Sequence, residues 1–341
     1  MKGSLNMDIG IDLGTANIMI TMGSRGIVLN EPSVVAFNKK TEQVLAVGQD
    51  AYRMIGRTPE YIVAVRPLCD GVISDHNMAE QMISACITKV CGRQLFRPRI
   101  VLCIPSFITD VESRAMVEAA RNAGSRKVYL IEEPVAALLG AGVDISKPNG
   151  NMVVDIGGGT ADVAVLSMNG CVAKKSLKLA GNKIDAAIVK YVASEYKVLI
   201  GEKTAEQAKF TLANVFDPSE KKTMVIKGRH MIKGLPESIE ISEMDVYNAI
   251  IDIVKEFVDA AKSVLEETPP ELVGDIYVNG IILTGGGALI GGLDKIMTSA
   301  IGIPCRVADD PLSCVAKGTG MAFDMTDKLL DGFEHISMYK Y

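Results

Sequence analysis

Two segments of this sequence repeat one plan, in which an apolar strand ends in an aspartate and a glycine-containing turn leads to a threonine. The first strand ends at Asp12 and continues through Gly14 to Thr15. The second ends at Asp155 and continues through three glycines to Thr160. A second apolar strand returns after each turn. This repetition indicates an internal duplication and predicts two similar lobes, each with a central mixed sheet flanked by helices.

Size and composition agree with two lobes and exclude several classes of protein. The chain has 341 residues, more than one hydrophobic core usually holds, and 48% of them are apolar. A formal net charge of -5 gives no basic surface for nucleic acid. No apolar run approaches the roughly 18 residues that cross a bilayer, and the N-terminus has no signal-peptide pattern. We therefore expect a cytoplasmic protein that does not bind nucleic acid.

The cysteines and histidines indicate neither a metal centre nor a hydrolytic triad. The seven cysteines are dispersed and include no Cys-x-x-Cys pair, which is typical of free thiols in a reducing compartment. The three histidines, His76, His230 and His335, lie near no plausible nucleophile or second ligand. A zinc enzyme or a Ser/His/Asp hydrolase is therefore not expected.

The rest of the pattern predicts helices and strands in alternation. Thr109 with Glu112, and Ser242 with Asp245, have the spacing of helix capping boxes. Pro134 suits the first turn of a short helix. Helices are expected at 78–91, 109–123, 183–198, 204–214 and 242–266, strands at 100–104, 128–131 and 280–284, and short strands and loops between 217 and 240.

The two aspartate turns have the chemistry of a phosphate site. Each turn brings backbone N–H groups and a hydroxyl to one point, where they suit phosphate oxygens, and Asp12 and Asp155 could hold the hydration shell of a Mg²⁺ ion. One such turn alone is more often an ordinary capped strand end. A third glycine loop follows the strand that ends at Thr284, and there a flat base could lie against the bare backbone. The three loops together favour a nucleotide site.

In their order, the three loops resemble those of the superfamily of actins, heat-shock chaperones and sugar kinases. Four further segments are similar to the MreB family of bacterial actin homologues, and the similarity runs from about residue 8 to about residue 323. These segments are 11–17, 30–33, 130–134 and 268–272. The resemblance implies an actin-like ATPase fold that binds ATP and Mg²⁺ in the cleft between the lobes.

The same resemblance implies the division of the chain. Each lobe would have a core and a small subdomain. The core of lobe I is predicted at 7–32, 66–145 and 315–341 with its small subdomain at 33–65, and the core of lobe II at 146–181 and 246–314 with its small subdomain at 182–245.

The resemblance also implies catalytic roles. Glu133 would position or activate the water that attacks the γ-phosphate, assisted by the hydroxyl of Thr160. Glu132 is the rival carboxylate, and because neighbours on a strand point to opposite faces, only one of the two can face the cleft. We favour Glu133, because the resemblance places it there.

Nucleotide contacts are implied for all three loops and for one helix. Asn17 would contact the phosphates, and Glu206 and Lys209, which share one helix face, would hold the ribose and adenine. Without the resemblance, Glu206 and Lys209 would be interpreted as a solvated pair. The implied nucleotide-binding residues are Gly14, Thr15, Ala16, Asn17, Gly157, Gly158, Gly159, Glu206, Lys209, Gly285, Gly286, Gly287 and Ala288, with Asp12 and Asp155 as Mg²⁺ ligands.

The sequence departs from the family pattern near the phosphate turns. Ile18 stands where threonine is usual, and Ala161 with Asp162 replaces the common Thr-Glu pair. Ala161 removes a hydroxyl beside the second turn. A polymer that binds ATP but scarcely hydrolyses it therefore remains an alternative, as does a soluble phosphotransferase of the same fold.

One apolar loop and the resemblance to the MreB family indicate what the protein would bind. Leu95 and Phe96 lie among arginines in the segment 93–99. MreB proteins carry a similar apolar loop that dips into the membrane, although the two residues could instead pack under a neighbouring helix. The resemblance alone implies self-association into filaments at the inner membrane face, with cell-wall synthesis and membrane adaptor proteins as partners in shaping the cell.

Overall fold

The computed structural model describes residues 8–92, 97–325 and 333–334. The predicted membrane residues Leu95 and Phe96 lie outside these ranges. No helix in the described part is long and apolar enough to cross a membrane.

The described residues alternate between strands and helices, as predicted. The strands are β1 Asp8–Leu13, β2 Asn17–Met22, β3 Ile27–Pro32, β4 Val35–Asn38, β5 Val44–Val47, β6 Ile62–Val65, β7 Leu68–Cys69, β8 Val72–Ile73, β9 Arg99–Ile104, β10 Lys127–Glu132, β11 Asn151–Ile156, β12 Ala161–Ser167, β13 Gly170–Leu177, β14 Val198–Leu199, β15 Thr223–His230, β16 Pro236–Ser242, β17 Ile281–Thr284, β18 Cys305–Val307 and β19 Phe333–Glu334. The helices are α1 Gln49–Met54, α2 His76–Cys91, α3 Asp110–Asn122, α4 Glu133–Gly140, α5 Gly181–Tyr196, α6 Glu202–Leu212, α7 Glu243–Glu267, α8 Pro270–Asn279, α9 Leu293–Ile301 and α10 Cys314–Met321.

Two large mixed sheets share one topology. The first has the order β19-β10-β9-β1-β2-β3, and the second has the order β13-β12-β11-β17-β18. In each, a central strand (β1 or β11) pairs antiparallel with the next strand and parallel with a much later one (β9 or β17). Five strands of the first sheet, in the order β3-β2-β1-β9-β10, therefore correspond one to one with the five strands of the second sheet, β13-β12-β11-β17-β18. The duplication inferred from the aspartate turns is present in the fold, and the predicted α/β class is confirmed.

Hydrophobic packing builds a core around each sheet and a third between them. The first core surrounds β1, β2 and β9 and is covered by α2 and α3. The second surrounds β11 and β12 and is covered by α5 and α7, whose buried residues recur every three or four positions. The third cluster joins α4 and α10 to both sheets. This shared packing holds the carboxyl ends of β1 and β11 opposite each other.

Local signals predicted several helix boundaries correctly. Thr109 accepts a hydrogen bond from the N–H of Glu112, and the side chain of Glu112 accepts one from the backbone N–H of Thr109. Ser242 and Asp245 form the same reciprocal arrangement at the start of α7. Both predicted capping boxes are therefore confirmed.

Three local predictions need correction. Most of the stretch 217–240 belongs to one long hairpin of β15 and β16, which runs from Thr223 to Ser242, rather than to several short strands. The glycine run after Thr284 enters a short 3-10 helix, Gly286–Leu289, and the next α-helix begins only at Leu293. Helix α5 begins at Gly181 rather than at 183, because Gly181 and Asn182 donate their N–H groups to carbonyls of the second turn.

Candidate functional site

The two aspartate turns touch each other across the boundary between the lobes. A β-carbon placed on Gly158 would lie 2.8 Å from the β-carbon of Ala16, and one on Gly159 would lie 2.4 Å from Oγ1 of Thr15. Real β-carbons essentially never come so close to another atom, so the approach of the backbones depends on glycine. The structure thus brings together the first two predicted nucleotide loops.

Buried hydrogen bonds fix the first turn. The hydroxyl of Ser33 donates to the carbonyl of Gly14 over 2.6 Å, and the N–H of Ser33 donates to Ala16 over 2.9 Å. The N–H of Gly71, which lies between β7 and β8, donates to Oγ1 of Thr15 over 3.1 Å. Since Thr15 accepts this bond, its own hydroxyl proton is free to point towards an acceptor.

The second turn is tied to α5. The N–H groups of Gly181 and Asn182 donate to the carbonyls of Gly157 and Gly158 over 3.1 Å and 2.8 Å. Gly157 closes the turn by donating to the carbonyl of Thr160 over 2.9 Å. The turn is therefore a rigid link between β11, β12 and α5.

Asp12 and Asp155 lie near the ends of β1 and β11 and repel each other. Burial and, to a smaller extent, the negative charge of Asp155 raise the pKa of Asp12 to about 7. Burial also raises the pKa of Asp155 to about 7, against the lowering effect of a hydrogen bond from the Thr284 hydroxyl. That bond is 2.7 Å long. A cation between the two carboxylates would relieve both the repulsion and the cost of burial.

This pair fits Mg²⁺ held together with phosphate. Within the described ranges, no group of three or more His, Cys, Asp or Glu side chains could form a metal cage of its own. Mg²⁺ usually binds through one or two carboxylates and keeps waters and substrate phosphate oxygens as its other ligands. Asp12 and Asp155 meet that requirement.

Glu133 and Thr160 meet across the cleft. The hydroxyl of Thr160 donates to Oε2 of Glu133 over 3.3 Å. Burial raises the pKa of Glu133 well above its usual value, and the negative charges of Asp162, Asp155 and Asp12 raise it further. The two residues predicted to be catalytic thus lie in contact, one from each lobe.

Glu132 points elsewhere and has a different partner. Its Oε1 lies 2.7 Å from Nζ of Lys174, on β13. Strand β10 ends at Glu132 and α4 begins at Glu133, so the two neighbours diverge because the chain changes from strand to helix. The predicted divergence is correct, although the reason given for it was alternation along one strand.

Asp162 is a buried carboxyl to which sequence reasoning gave no role. It faces Asp155 directly in the β11–β12 ladder. Its Oδ1 accepts the N–H of Ser106 over 3.0 Å. Burial raises its pKa, and hydrogen bonds that it accepts from Ser106, Ser176 and protonated Glu133 oppose that shift. One charged residue at the start of the apolar strand 161–166 was the available signal.

Ala161 lies on the other face of that strand. It pairs with Ile156 in the ladder and belongs to the core of the second lobe. Directly paired residues share a face of the sheet, so a hydroxyl at position 161 would enter this core rather than approach Asp155. The expectation that Ala161 slows hydrolysis by removing a hydroxyl beside the second turn therefore loses its structural reason.

The third glycine loop packs against the second turn. A β-carbon on Gly285 would lie 2.4 Å from the carbonyl oxygen of Ile156, and one on Gly287 would lie 2.2 Å from Cγ2 of the same residue. Gly286 is less enclosed, with Cδ2 of Leu312 at 3.4 Å, while Ala288 is buried. Gly286 therefore presents the open backbone at which a flat base could lie.

Glu206 and Lys209 point to different partners rather than to each other. Oε2 of Glu206 accepts a hydrogen bond from the Tyr52 hydroxyl over 2.5 Å. Nζ of Lys209 lies 2.9 Å from Oδ1 of Asp185 and 3.3 Å from the carbonyl oxygen of Gly181. Burial raises the pKa of Asp185 to about 6, although the charge of Lys209 opposes the shift. Glu206 and Lys209 are thus not a solvated pair, and Lys209 reaches the start of α5 beside the second turn.

The remaining predicted contact, Asn17, begins β2 beside the first turn. Its side chain is half-buried, and its carbonyl oxygen would lie 2.8 Å from a β-carbon on Gly14. The roles proposed for these residues stay predictions, whereas their arrangement around one cleft is a feature of the structure.

Known proteins provide an independent comparison. A family model described as MreB/Mbl protein matches residues 6–331. The chain is 51% identical over 323 residues to the cell shape-determining protein Mbl of Bacillus subtilis strain 168, covering 94% of this chain and 97% of that protein. It is 44% identical over 332 residues to the cell shape-determining protein MreB of Escherichia coli K12, covering 96% of each.

Solved structures agree with the fold. The crystal structure of MreB5 of Spiroplasma citri bound to AMPPNP has a TM-score of 0.89 and 37% identity, covering 95% of this chain and 98% of that one. A double helical filament of MamK has a TM-score of 0.80 at 19% identity, covering 94% and 99%, and supports the fold alone. These matches confirm the predicted actin-like fold. With a family model that spans nearly the whole sequence, and relatives that share about half its residues, the chain belongs to the MreB/Mbl family.

Proposed function

We propose that this chain is an ATP-dependent, filament-forming cytoskeletal protein that hydrolyses ATP slowly and organises cell-wall synthesis and rod shape at the cytoplasmic face of the cell membrane. The observation that carries the proposal is the contact between Glu133 and Thr160, made where the two aspartate turns meet. The names of the relatives, cell shape-determining proteins, support the cellular role. Structures of Spiroplasma citri MreB5 with AMPPNP and ADP support the nucleotide.

The binding chemistry follows from the loops. The backbone of the turns at 14–17 and 157–159 and the hydroxyl of Thr15 would hold the phosphates from both sides. Asp12 and Asp155 would hold Mg²⁺, which supplies charge stabilisation to the phosphates. Glu206 and Lys209 would hold the nucleoside, with the base against the loop 285–288.

The catalytic step needs an oriented water and a proton acceptor. Glu133 lies in contact with Thr160, so a water that binds beside the pair could hydrogen-bond to both side chains and be oriented by them. Burial and the neighbouring carboxylates raise the pKa of Glu133, and this higher proton affinity makes the ionised carboxylate a stronger base.

Self-association and division of the chain complete the proposal. Identical subunits that contact head to tail form an open filament unless the rotation closes a ring. The separate three-stranded sheets, β5-β4-β6 and β14-β15-β16, lie inside the small subdomains predicted at 33–65 and 182–245. We propose Leu95 and Phe96 as the membrane contact, with lipid and cell-wall or adaptor proteins as further partners.

The test combines phosphate release with electron microscopy. Purified protein with Mg-ATP is placed on an anionic lipid monolayer beside a Leu95→Ser, Phe96→Ser double variant. We expect lipid-bound filaments for the natural sequence, and filaments that form in solution but leave the lipid for the variant. Dispersed monomers at high protein concentration would reject the filament and favour a soluble phosphotransferase. Filaments that release no phosphate would favour a scaffold polymer.

A further inference from the structure

A second set of contacts joins the lobes away from the aspartate turns. Tyr52, on α1, donates its hydroxyl proton to Oε2 of Glu206 on α6 over 2.5 Å. The ammonium group of Lys203 donates to the backbone carbonyl of Tyr52 and lies 4.2 Å from the centre of its ring. Helix α6 thus contacts both the main chain and the side chain of Tyr52.

An ion pair reinforces this contact. Nε and Nη2 of Arg66 each lie 3.3 Å from Oε1 of Glu202, one turn before Glu206. The guanidinium carbon of Arg66 also lies 6.0 Å from the centre of the Tyr52 ring. Glu202 is half-exposed, so this pair contributes less than the partly buried bond between Tyr52 and Glu206.

The Tyr52 hydroxyl remains a donor at any physiological pH. Burial and the hydrogen bond to Glu206 raise the pKa of Tyr52 to about 12. Glu206 accepts this bond through Oε2, and in the described ranges its Oε1 has no hydrogen-bond partner. A carboxylate fixed at one oxygen can present the other in a defined direction.

Helix α6 also reaches the phosphate turns. Lys209, one turn after Glu206, contacts the carbonyl of Gly181. Gly181 donates its N–H to the carbonyl of Gly157 in the second turn. Tyr52 is therefore connected to the second aspartate turn through α6 and the start of α5.

We propose that Tyr52 is a positioning residue for the nucleotide, because it holds Glu206 with Oε1 towards a ribose hydroxyl and at the same time closes the lobes over the cleft. This inference rests on the proposed nucleotide function. Tyr52, a side chain of the first lobe, would then take part in the recognition of a ribose that is bound by the second lobe. A nucleotide with both ribose hydroxyls would keep the cleft closed more effectively than one that lacks a hydroxyl.

The test compares Tyr52→Phe with Tyr61→Phe, a matched control whose side chain is about half exposed at 51%. Affinity and dissociation rate are measured by competition with a fluorescent ATP analogue for ATP, 2′-deoxy-ATP and 3′-deoxy-ATP. A charge-assisted hydrogen bond predicts about tenfold weaker ATP binding for Tyr52→Phe. The affinity of Tyr52→Phe for at least one deoxy analogue should fall much less than its affinity for ATP, so the preference for an intact ribose decreases. Tyr61→Phe should match the natural sequence.

A third variant separates closure from positioning. Arg66→Gln removes the ion pair and leaves Glu206 untouched, so it should speed dissociation of all three nucleotides by a similar factor. Equal losses for all three nucleotides with Tyr52→Phe, or no loss at all, would overturn the positioning role. If the natural sequence binds no ATP, the proposed function itself fails, which is a distinguishable result. Thermal denaturation confirms that each variant is folded.

Discussion

The hydroxyl of Thr160 donates to the carboxyl group of Glu133 over 3.3 Å, and this bond crosses from one lobe to the other. Glu133 begins α4, at the point where β10 ends, while Thr160 closes the second aspartate turn. The proposed catalytic pair therefore exists only while the lobes are in contact. Opening of the cleft would separate the proposed base from the residue that helps to orient its water.

The first prediction concerns the base. Glu133→Gln keeps the size of the side chain and its capacity to accept from Thr160, but it cannot take a proton. We expect phosphate release to fall by about 10²- to 10³-fold, as for loss of a general base. ATP affinity should change little, which equilibrium binding would check.

Glu132→Gln is the neighbouring control. It removes the partner of Lys174, so we expect a loss of about 1 to 2 kcal/mol in the free energy of unfolding without a matching loss of phosphate release. A large loss of hydrolysis in Glu132→Gln, with little in Glu133→Gln, would reverse the assignment.

The second prediction concerns Asp162, whose negative charge raises the pKa of Glu133. Asp162→Asn keeps an oxygen for the N–H of Ser106 but removes that charge. The pKa of Glu133 should fall, so Glu133 would be deprotonated at lower pH. We expect the acidic limb of the pH–rate profile for ATP hydrolysis to move to lower pH. A profile with an unchanged limb would show that Asp162 has no effect on the base.

The local parts of the site could be predicted, whereas the contacts between distant residues could not. The turns at Asp12 and Asp155 are recognisable because a strand end, glycines and a threonine are adjacent in sequence. Tyr52 and Glu206 are 154 residues apart, and Ser106 and Asp162 are 56 apart. Neither pair leaves a local pattern, because the contact exists only once the lobes have packed. Helix α8 and the long β15–β16 hairpin were not predicted. Helix α8 buries only Ile276, and β15 and β16 bury only Ile226 and Ile241, so few apolar positions mark a buried face in these segments.

The third prediction tests the contact between the turns. In Gly159→Ala the new methyl would lie 2.4 Å from Oγ1 of Thr15 and 3.0 Å from Cα of Asp70. Because backbone atoms must shift, we expect ATP affinity to fall at least tenfold and the free energy of unfolding to fall by about 1 to 3 kcal/mol. Gly201→Ala is the control, since a β-carbon there meets no atom within 4 Å. Equal ATP affinity in both variants would contradict the close approach of the turns.

The fourth prediction concerns pH and the repelling carboxylates. The pKa of Asp155 is raised from 3.8 to about 7, so the folded protein binds more protons than the unfolded chain between these values. Stability contributed by this group is therefore lost as pH rises from about 4 to about 7. Asp155→Asn keeps an acceptor for Thr284 and removes the titration. Without ligand, the free energy of unfolding of Asp155→Asn relative to that of the natural sequence should rise by about 2 to 3 kcal/mol as the pH increases from 5 to 8.

Asp245→Asn provides the opposite case, because hydrogen bonds from Ser242 lower the pKa of Asp245 despite its burial. That carboxylate stabilises the fold above its unfolded-state pKa, so its removal should destabilise the protein at pH 8 and have less effect as the pH falls towards 3. Chemical denaturation across this range measures both effects. Mg-ATP should stabilise the natural sequence strongly and Asp155→Asn weakly, since the same charge that destabilises the empty site would hold the cation. If Asp155→Asn gained no stability as the pH rose but still lost the response to Mg-ATP, Asp155 would be a cation ligand whose buried charge does not destabilise the empty site.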